Sequence, residues 1–209
     1  MSERPFIIVG GGGHARVVAS TLRELGENIL GFTDPNSDAS LGQELEHLGS
    51  DDVLANYASS DVNLTVGIGS SHDVTRRADL FDEVKNTDFI CPPVVHPNAF
   101  VASEASIGIG SHVMAGAVIQ AGTALAENVI VNTNATIDHD CEIGGHTHVA
   151  PGATVSGEVS LGAQVHVGTG ASLIQGVHVG ARSVVGAGAV VIEDVPPDSV
   201  VVGVPAVQK

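Results

Sequence analysis

His139 stands between two acids in the run Ile137-Asp138-His139-Asp140-Cys141. Neutral imidazole near pH 7 is the side chain best matched to taking a proton from an attacking amine or hydroxyl. Either flanking carboxylate, Asp138 or Asp140, can hold one imidazole tautomer and raise its basicity. A second set of residues lies near the start of the chain. The glycines Gly10–Gly13 precede His14 and Arg16, and backbone N–H groups at the start of a helix suit a phosphate. Asp34 follows the next strand, and Gly69 and Ser70 follow a third. A lone glycine loop is a weak signal, so the elements that carry these residues decide its weight.

The second half of the chain has one dominant pattern. Val, Ile or Leu recurs at every sixth position from Val95 to Val191, seventeen times without a break. The residue four further on is small or slender, as at Ala99, Ser111, Thr123, Cys141, Ala153, Ser183 and Ala189. Glycine often follows the apolar residue directly, at Gly108, Gly144, Gly162, Gly168, Gly180 and Gly186, where a tight corner would need freedom of φ. This period is the hexapeptide repeat of a left-handed parallel β-helix, three hexads to a coil. His139 falls two residues after Ile137, a place from which a side chain points outward. His112, His148 and His166 share one repeat position and are separated by whole coils, so they stack on one face. Stacked surface histidines without metal are the reading preferred over a zinc site, and no metal is expected.

The first half alternates strands and helices: Pro5–Gly10, then His14–Leu25, Ile29–Phe32, Val62–Ile68 and a helix ending near Val84. Val17, Val18, Thr21, Leu22 and Leu25 recur at helical spacing. The order predicts a small parallel α/β domain over 1–94, too short for a complete dinucleotide fold, with the β-helix over 95–209. A formal charge of −16 argues against a nucleic-acid partner. No apolar run approaches a membrane span. Two cysteines, Cys91 and Cys141, fit reduced thiols in a cytoplasmic protein.

With the residues in view, the chain resembles the bacterial sugar O-acyltransferase family, which includes sialic acid O-acetyltransferases and nucleotide-linked amino-sugar N-acetyltransferases. The matching stretches are IIVGGGGHARVV, GFTDP, GIGS, VVHPNAFVA, VNTNATIDHDCEIGGHTHVAPGATVSG and VVGVPA. The resemblance implies acetyl-CoA as co-substrate, a homotrimer with sites between prisms, and a role in surface-glycan biosynthesis. It implies His139 as base with Asp140 beside it and Asn132 nearby. His148 would meet the thioester end of CoA, and the Gly157 N–H its oxygen. Gly11, Gly12, Gly13, His14 and Arg16 would hold a diphosphate, with Asp34 on the base and Gly69 and Ser70 lining the same crevice. Where relatives often carry two successive acids, this chain has Thr33-Asp34-Pro35. Arg182 is the sole Lys or Arg between residues 86 and 208 and Lys209 ends the chain, so these two are the candidate cations for CoA phosphates. The leading expectation is an N-acetyltransferase of a nucleotide-linked amino sugar. Its alternatives are O-acetylation of a sialic acid or related sugar hydroxyl, and a non-catalytic nucleotide-sugar scaffold.

Overall fold

The structure, a computed structural model, describes residues 4–42, 45–70 and 73–209. The first half forms a four-stranded sheet from β1 (Phe6–Val9), β2 (Ile29–Thr33), β3 (His47–Gly49) and β4 (Asn63–Val66), in the order β3-β2-β1-β4. All pairings are parallel, so each connection must cross over the sheet. Helix α1 (Gly13–Glu24) makes the first crossover, and α2 (Thr75–Lys85) follows β4. β1 and β4 are buried throughout, which is why the first strand reads as an unbroken apolar run. On α1 the buried stripe is Ala15, Val18, Ala19, Thr21 and Leu22, whereas Val17 is exposed. The helix closes at Gly26, in the left-handed region, with Gly26 N–H bonded to Arg23 O and Glu27 N–H to Leu22 O. Strand β3 and a 3₁₀ turn at Asp51–Asn56 were not foreshadowed, because elements this short leave no periodic trace.

From Val94–Val95 to Val190–Val191 the chain makes seventeen two-residue strands, each ending on one of the apolar repeat positions. Partner strands lie eighteen residues apart, as in Leu125 beside Ile143 and Ile143 beside Leu161. Three hexads therefore close one coil, and the three faces form three separate sheets. Inside, the repeat residues meet the small residues four further on, including Ala117, Ala135, Cys141, Ala153, Ala171 and Ala189. Where that slot holds a hydroxyl, as at Thr123, Oγ1 donates to Asp138 O and accepts from Cys141 N–H. The buried polar atom is thus satisfied by the coil beside it.

The glycines that follow the apolar residues are not there for φ. A Cβ on Gly144 would come 2.5 Å from Gly162 C and from Ala163 N, and one on Gly168 2.5 Å from Ala187 N. They admit the backbone of the next coil. Left-handed φ falls two residues later, at Gly116, Gly122, Asn128, Asn134, Asp140, His146 and equivalent corners, positions that Asn and Asp tolerate best after glycine. No helix among the described residues is long and apolar enough to cross a membrane. The two kinds of glycine give opposite expectations. Gly144→Ala should destabilise by about 1–3 kcal/mol through overpacking, while Gly170→Asn, at φ +67 with open space around it, should stay within about 1 kcal/mol. Calorimetric melting of the two variants checks this, and equal Tm values would contradict it.

Candidate functional site

A cleft of about 570 Å³ opens at the carboxyl ends of β1 and β4, between the glycine loop and α2. Ligands enter parallel sheets at this edge. Gly10–Gly13, His14, Asp34, Gly67 and Gly69 line it, together with Asp51, Asp73, Arg76, Asp79 and Glu83. Neither the Gly12 N–H nor the Gly13 N–H has a hydrogen-bond partner among the described residues, as is usual at the start of a helix, and the space beside both glycines is open. Asp34 does not project into this space as a free acid. Its Oδ2 accepts from Gly11 N–H at 2.8 Å and its Oδ1 from Asn36 N–H at 2.9 Å, so it braces the glycine loop. Arg16 also departs from its expected place, since its guanidinium donates to Ser40 O at 3.1 Å.

The far wall is fixed by a buried cation that no motif in the chain marks. Arg77 on α2 is fully buried and donates to Val66 O at 2.6 Å, Ile68 O at 2.7 Å and Gly110 O at 3.2 Å. It ties the Gly67–Gly69 loop to a corner of the β-helix, and burial pulls its pKa down to about 9. The available signal was a cation on the apolar side of a helix, next to Ala78, Phe81 and Val84, since such charges are buried only when they are paired.

The stacked histidines share a face, as their spacing demands, but that face is covered by the first domain. His112 is fully buried, with Nδ1 2.9 Å from His14 Nε2 and Nε2 2.8 Å from Thr65 Oγ1. His148 is 5% exposed and sits edge-on against His166. Its Nδ1 lies 2.6 Å from Ser70 Oγ and its Nε2 3.0 Å from Asn132 Nδ2. Asn132 Oδ1 accepts from Thr133 N–H at 2.8 Å, so its amide nitrogen donates to His148 Nε2 and His148 Nδ1–H donates to Ser70. Within one chain His148, Asn132 and Ser70 therefore bond to one another where the first domain covers the β-helix. Burial, first of all, lowers the pKa of His14 and His112 well below the ordinary value and that of His148 to about 3, with Arg77 adding to each.

His139 occupies a different corner, between the strands Thr136–Ile137 and Glu142–Ile143. Its backbone N–H donates to Asp138 Oδ1 at 2.8 Å, and its Nδ1 lies 2.9 Å from Asp140 Oδ2. A carboxylate only accepts, so Nδ1 carries the proton and Nε2 presents its lone pair. The hydrogen bond that His139 donates to Asp140 is the largest cause raising its pKa, with smaller contributions from the charges of Asp138, Asp140 and Glu158. Asp140 is placed by its left-handed corner conformation, φ +57. In the next coil Gly157 lies directly beside the ring, and a Cβ there would come 2.5 Å from Nε2. Two isoleucines in the column below Asp138 and Ser156, Ile174 and Ile192, are 43% and 45% exposed.

The two candidate cations differ in kind. Arg182 is already engaged by Asp198 through two bonds, Nε to Oδ1 at 2.6 Å and Nη2 to Oδ2 at 2.7 Å, so the pair offers a phosphate little net charge. Lys209 is exposed at the end of the terminal antiparallel strand pair, its N–H bonded to Val200 O.

Residues 5–84 match the PglD N-terminal domain family. Along its whole length the chain is similar to the acetyltransferase domain of PglB from Neisseria gonorrhoeae in complex with acetyl coenzyme A, at 36% identity and a TM-score of 0.94, covering 100% of each chain. It is also similar to perosamine N-acetyltransferase from Caulobacter crescentus, solved with CoA and GDP-perosamine and with one histidine replaced by asparagine. Here identity is 36% and the TM-score 0.92, covering 100% of this chain and 98% of that one. WeeI from Acinetobacter baumannii, at 23% identity and a TM-score of 0.88 over 99% of this chain and 100% of that one, shares the fold.

The neutral interface histidines make the fold acid-sensitive. An unfolded chain protonates them below about pH 6.5, whereas in the folded protein their pKa values lie lower. Stability is therefore complete above that pH and falls as pH drops, by up to about 1.4 kcal/mol per pH unit for each histidine. Tm should decline between pH 6.5 and 5, before carboxylates titrate; a flat Tm across that window would refute this account.

Proposed function

The chain belongs to the hexapeptide-repeat sugar N-acetyltransferases, and from that premise we propose that it transfers the acetyl group of acetyl-CoA to the amine of a nucleotide-linked amino sugar, with His139 as general base. One observation carries the assignment of the base: the Nδ1–H of His139 is held by Asp140, while Nε2 stands free over a glycine that leaves it room. His139 Nε2 takes a proton as the amine nitrogen bonds to the thioester carbonyl carbon. The resulting oxyanion needs a donor, and the Gly157 N–H, without a partner among the described residues, is the one we assign. When the intermediate collapses, the C–S bond breaks and the CoA sulfur leaves, accepting the proton that His139 holds. The products are the N-acetylated sugar nucleotide and free CoA. The exposed Ile174 and Ile192 run from the base along the prism and suit the pantetheine arm. The glycine-loop cleft takes the nucleotide, its anionic part on the amides of Gly12 and Gly13. Such a reaction belongs to bacterial surface-glycan biosynthesis in the cytoplasm, where both substrates are made.

In one protomer the cleft lies by the face that carries His112 and His148, whereas His139 is on another corner. We therefore propose a homotrimer in which the base of one prism serves the cleft of its neighbour, closed by flanks bearing small residues such as Ala115, Ala121 and Ser156.

His139→Ala should lower kcat about 10²–10⁴-fold near neutral pH with little change in acetyl-CoA affinity; activity within threefold of the parent would exclude it as the base. Because Asp140 raises the His139 pKa, kcat/KM should rise with pH through a value above 6.5, and Asp140→Asn should move that limb to lower pH. An unmoved limb would separate Asp140 from the base. Solution mass should be about three times 21.1 kDa. Co-assembly of His139→Ala with a variant blocked in the cleft, Gly13→Asp, should restore partial activity, and an active monomer would defeat the shared site.

A further inference from the structure

The hydrogen bonds among Thr65, His112 and His14 have a direction that can be derived from donors and acceptors alone. Thr65 Oγ1 is buried on β4, and its only hydrogen-bond partner among the described residues is His112 Nε2, at 2.8 Å. The other nitrogen of His112 meets only His14 Nε2, at 2.9 Å, with the two rings stacked at 5.1 Å. Both rings are neutral, since burial and the Arg77 charge disfavour a proton on either. Each ring therefore has one N–H and one bare nitrogen.

Two arrangements are possible. If His14 Nε2–H donates to His112, then His112 Nε2–H must donate to Thr65, and the buried Thr65 O–H has no acceptor. If Thr65 O–H donates to His112 Nε2, then His112 Nδ1–H donates to His14 Nε2 and every buried donor is satisfied. Leaving a buried donor unmade is the costlier choice, so the second arrangement holds. The bonds then run from Thr65 to His112 to His14 and leave His14 with Nδ1–H as a donor. Its Nδ1 lies toward Gly69, 3.8 Å from the point where a Cβ would stand, and both residues line the cleft.

We infer that Thr65 and His112 are positioning residues that fix His14 in its Nδ1–H tautomer, so that the ring donates to a phosphate or sugar oxygen of the nucleotide-linked substrate. This deepens the reading of the cleft as the nucleotide-sugar site and rests on it. The cleft gives the inference its weight: Asp34, Asp51, Asp73, Asp79 and Glu83 line it against a single Arg76. An anionic ligand there must be met largely by neutral N–H groups, and a ring with its bare nitrogen turned inward would repel the same oxygen.

The test is long-range ¹⁵N NMR of histidine-labelled full-length protein, free and with GDP or UDP, in wild type, Thr65→Val and Thr65→Ser. The free wild type should show His14 protonated at Nδ1; protonation at Nε2 overturns the inference without involving any substrate. Thr65→Val keeps the strand and the bulk but removes the donor, so it should mix the tautomers, and Thr65→Ser should restore one. In kinetics Thr65→Val should raise KM for the sugar nucleotide about two- to tenfold, the scale of one neutral hydrogen bond, with kcat and the KM for acetyl-CoA unchanged. A mixed tautomer with unaltered KM would overturn the role in binding. If saturating nucleotide shifts neither His14 nor the Gly12 and Gly13 amides, the cleft reading itself fails, and with it the ligand assigned to His14, while the tautomer remains as measured.

Discussion

Each coil of the β-helix offers its neighbours a row of N–H and C=O groups that must be matched every eighteen residues, and this requirement governs the rest of the molecule. The bonds from Ala124 N–H to Cys141 O and from Glu142 N–H to Val159 O repeat the same register one coil on. A chain that pairs this way cannot gain or lose one residue without turning its apolar positions outward. The register also sets where function can reside. Inward positions are filled by Val, Ile, Leu and small residues, so chemistry is confined to the corners and outer faces. His139 is at such a corner, and the adjacent left-handed position is the one at which an aspartate can be accommodated and turned back to the ring.

Stacking at a fixed distance explains why a glycine in one coil controls a histidine in another. Gly157 lies eighteen residues beyond His139, and any Cβ there would occupy the space at Nε2. The other glycines that abut a neighbouring coil's backbone solve a related problem with different partners. Rigid scaffolding of this kind suits the general-base role proposed for His139, since it and Asp140 are held on backbone fixed by ladders on both sides.

The first domain is joined to the prism by polar contacts as much as by apolar ones. Arg77 binds carbonyls from both halves, His14 meets His112, and Ser70 meets His148. Taken out of water, such contacts gain strength, and they orient the cleft wall with respect to the β-helix. Burial there disfavours the charged form of His14, His112 and His148.

The β-helix, the parallel α/β domain before it and the pairing of His139 with an adjacent acid were all legible in the order of residues. These features are local or strictly periodic: six residues set a side, eighteen a coil, and neighbours in the chain stay neighbours in space. The task of residues whose partners lie far along the chain emerged from folding alone. His14 and His112 are separated by 98 residues, and Ser70 and His148 by 78; no period links them. Hence the bonds that tie His148 to Ser70 and Asn132, and Asp34 to Gly11, appear only in the folded chain. Arg182, conspicuous in sequence as a lone cation, folded onto Asp198. The glycines after the apolar positions were legible as a pattern but not as a cause, because the backbone they make room for belongs to the next coil, and their own φ shows nothing of it.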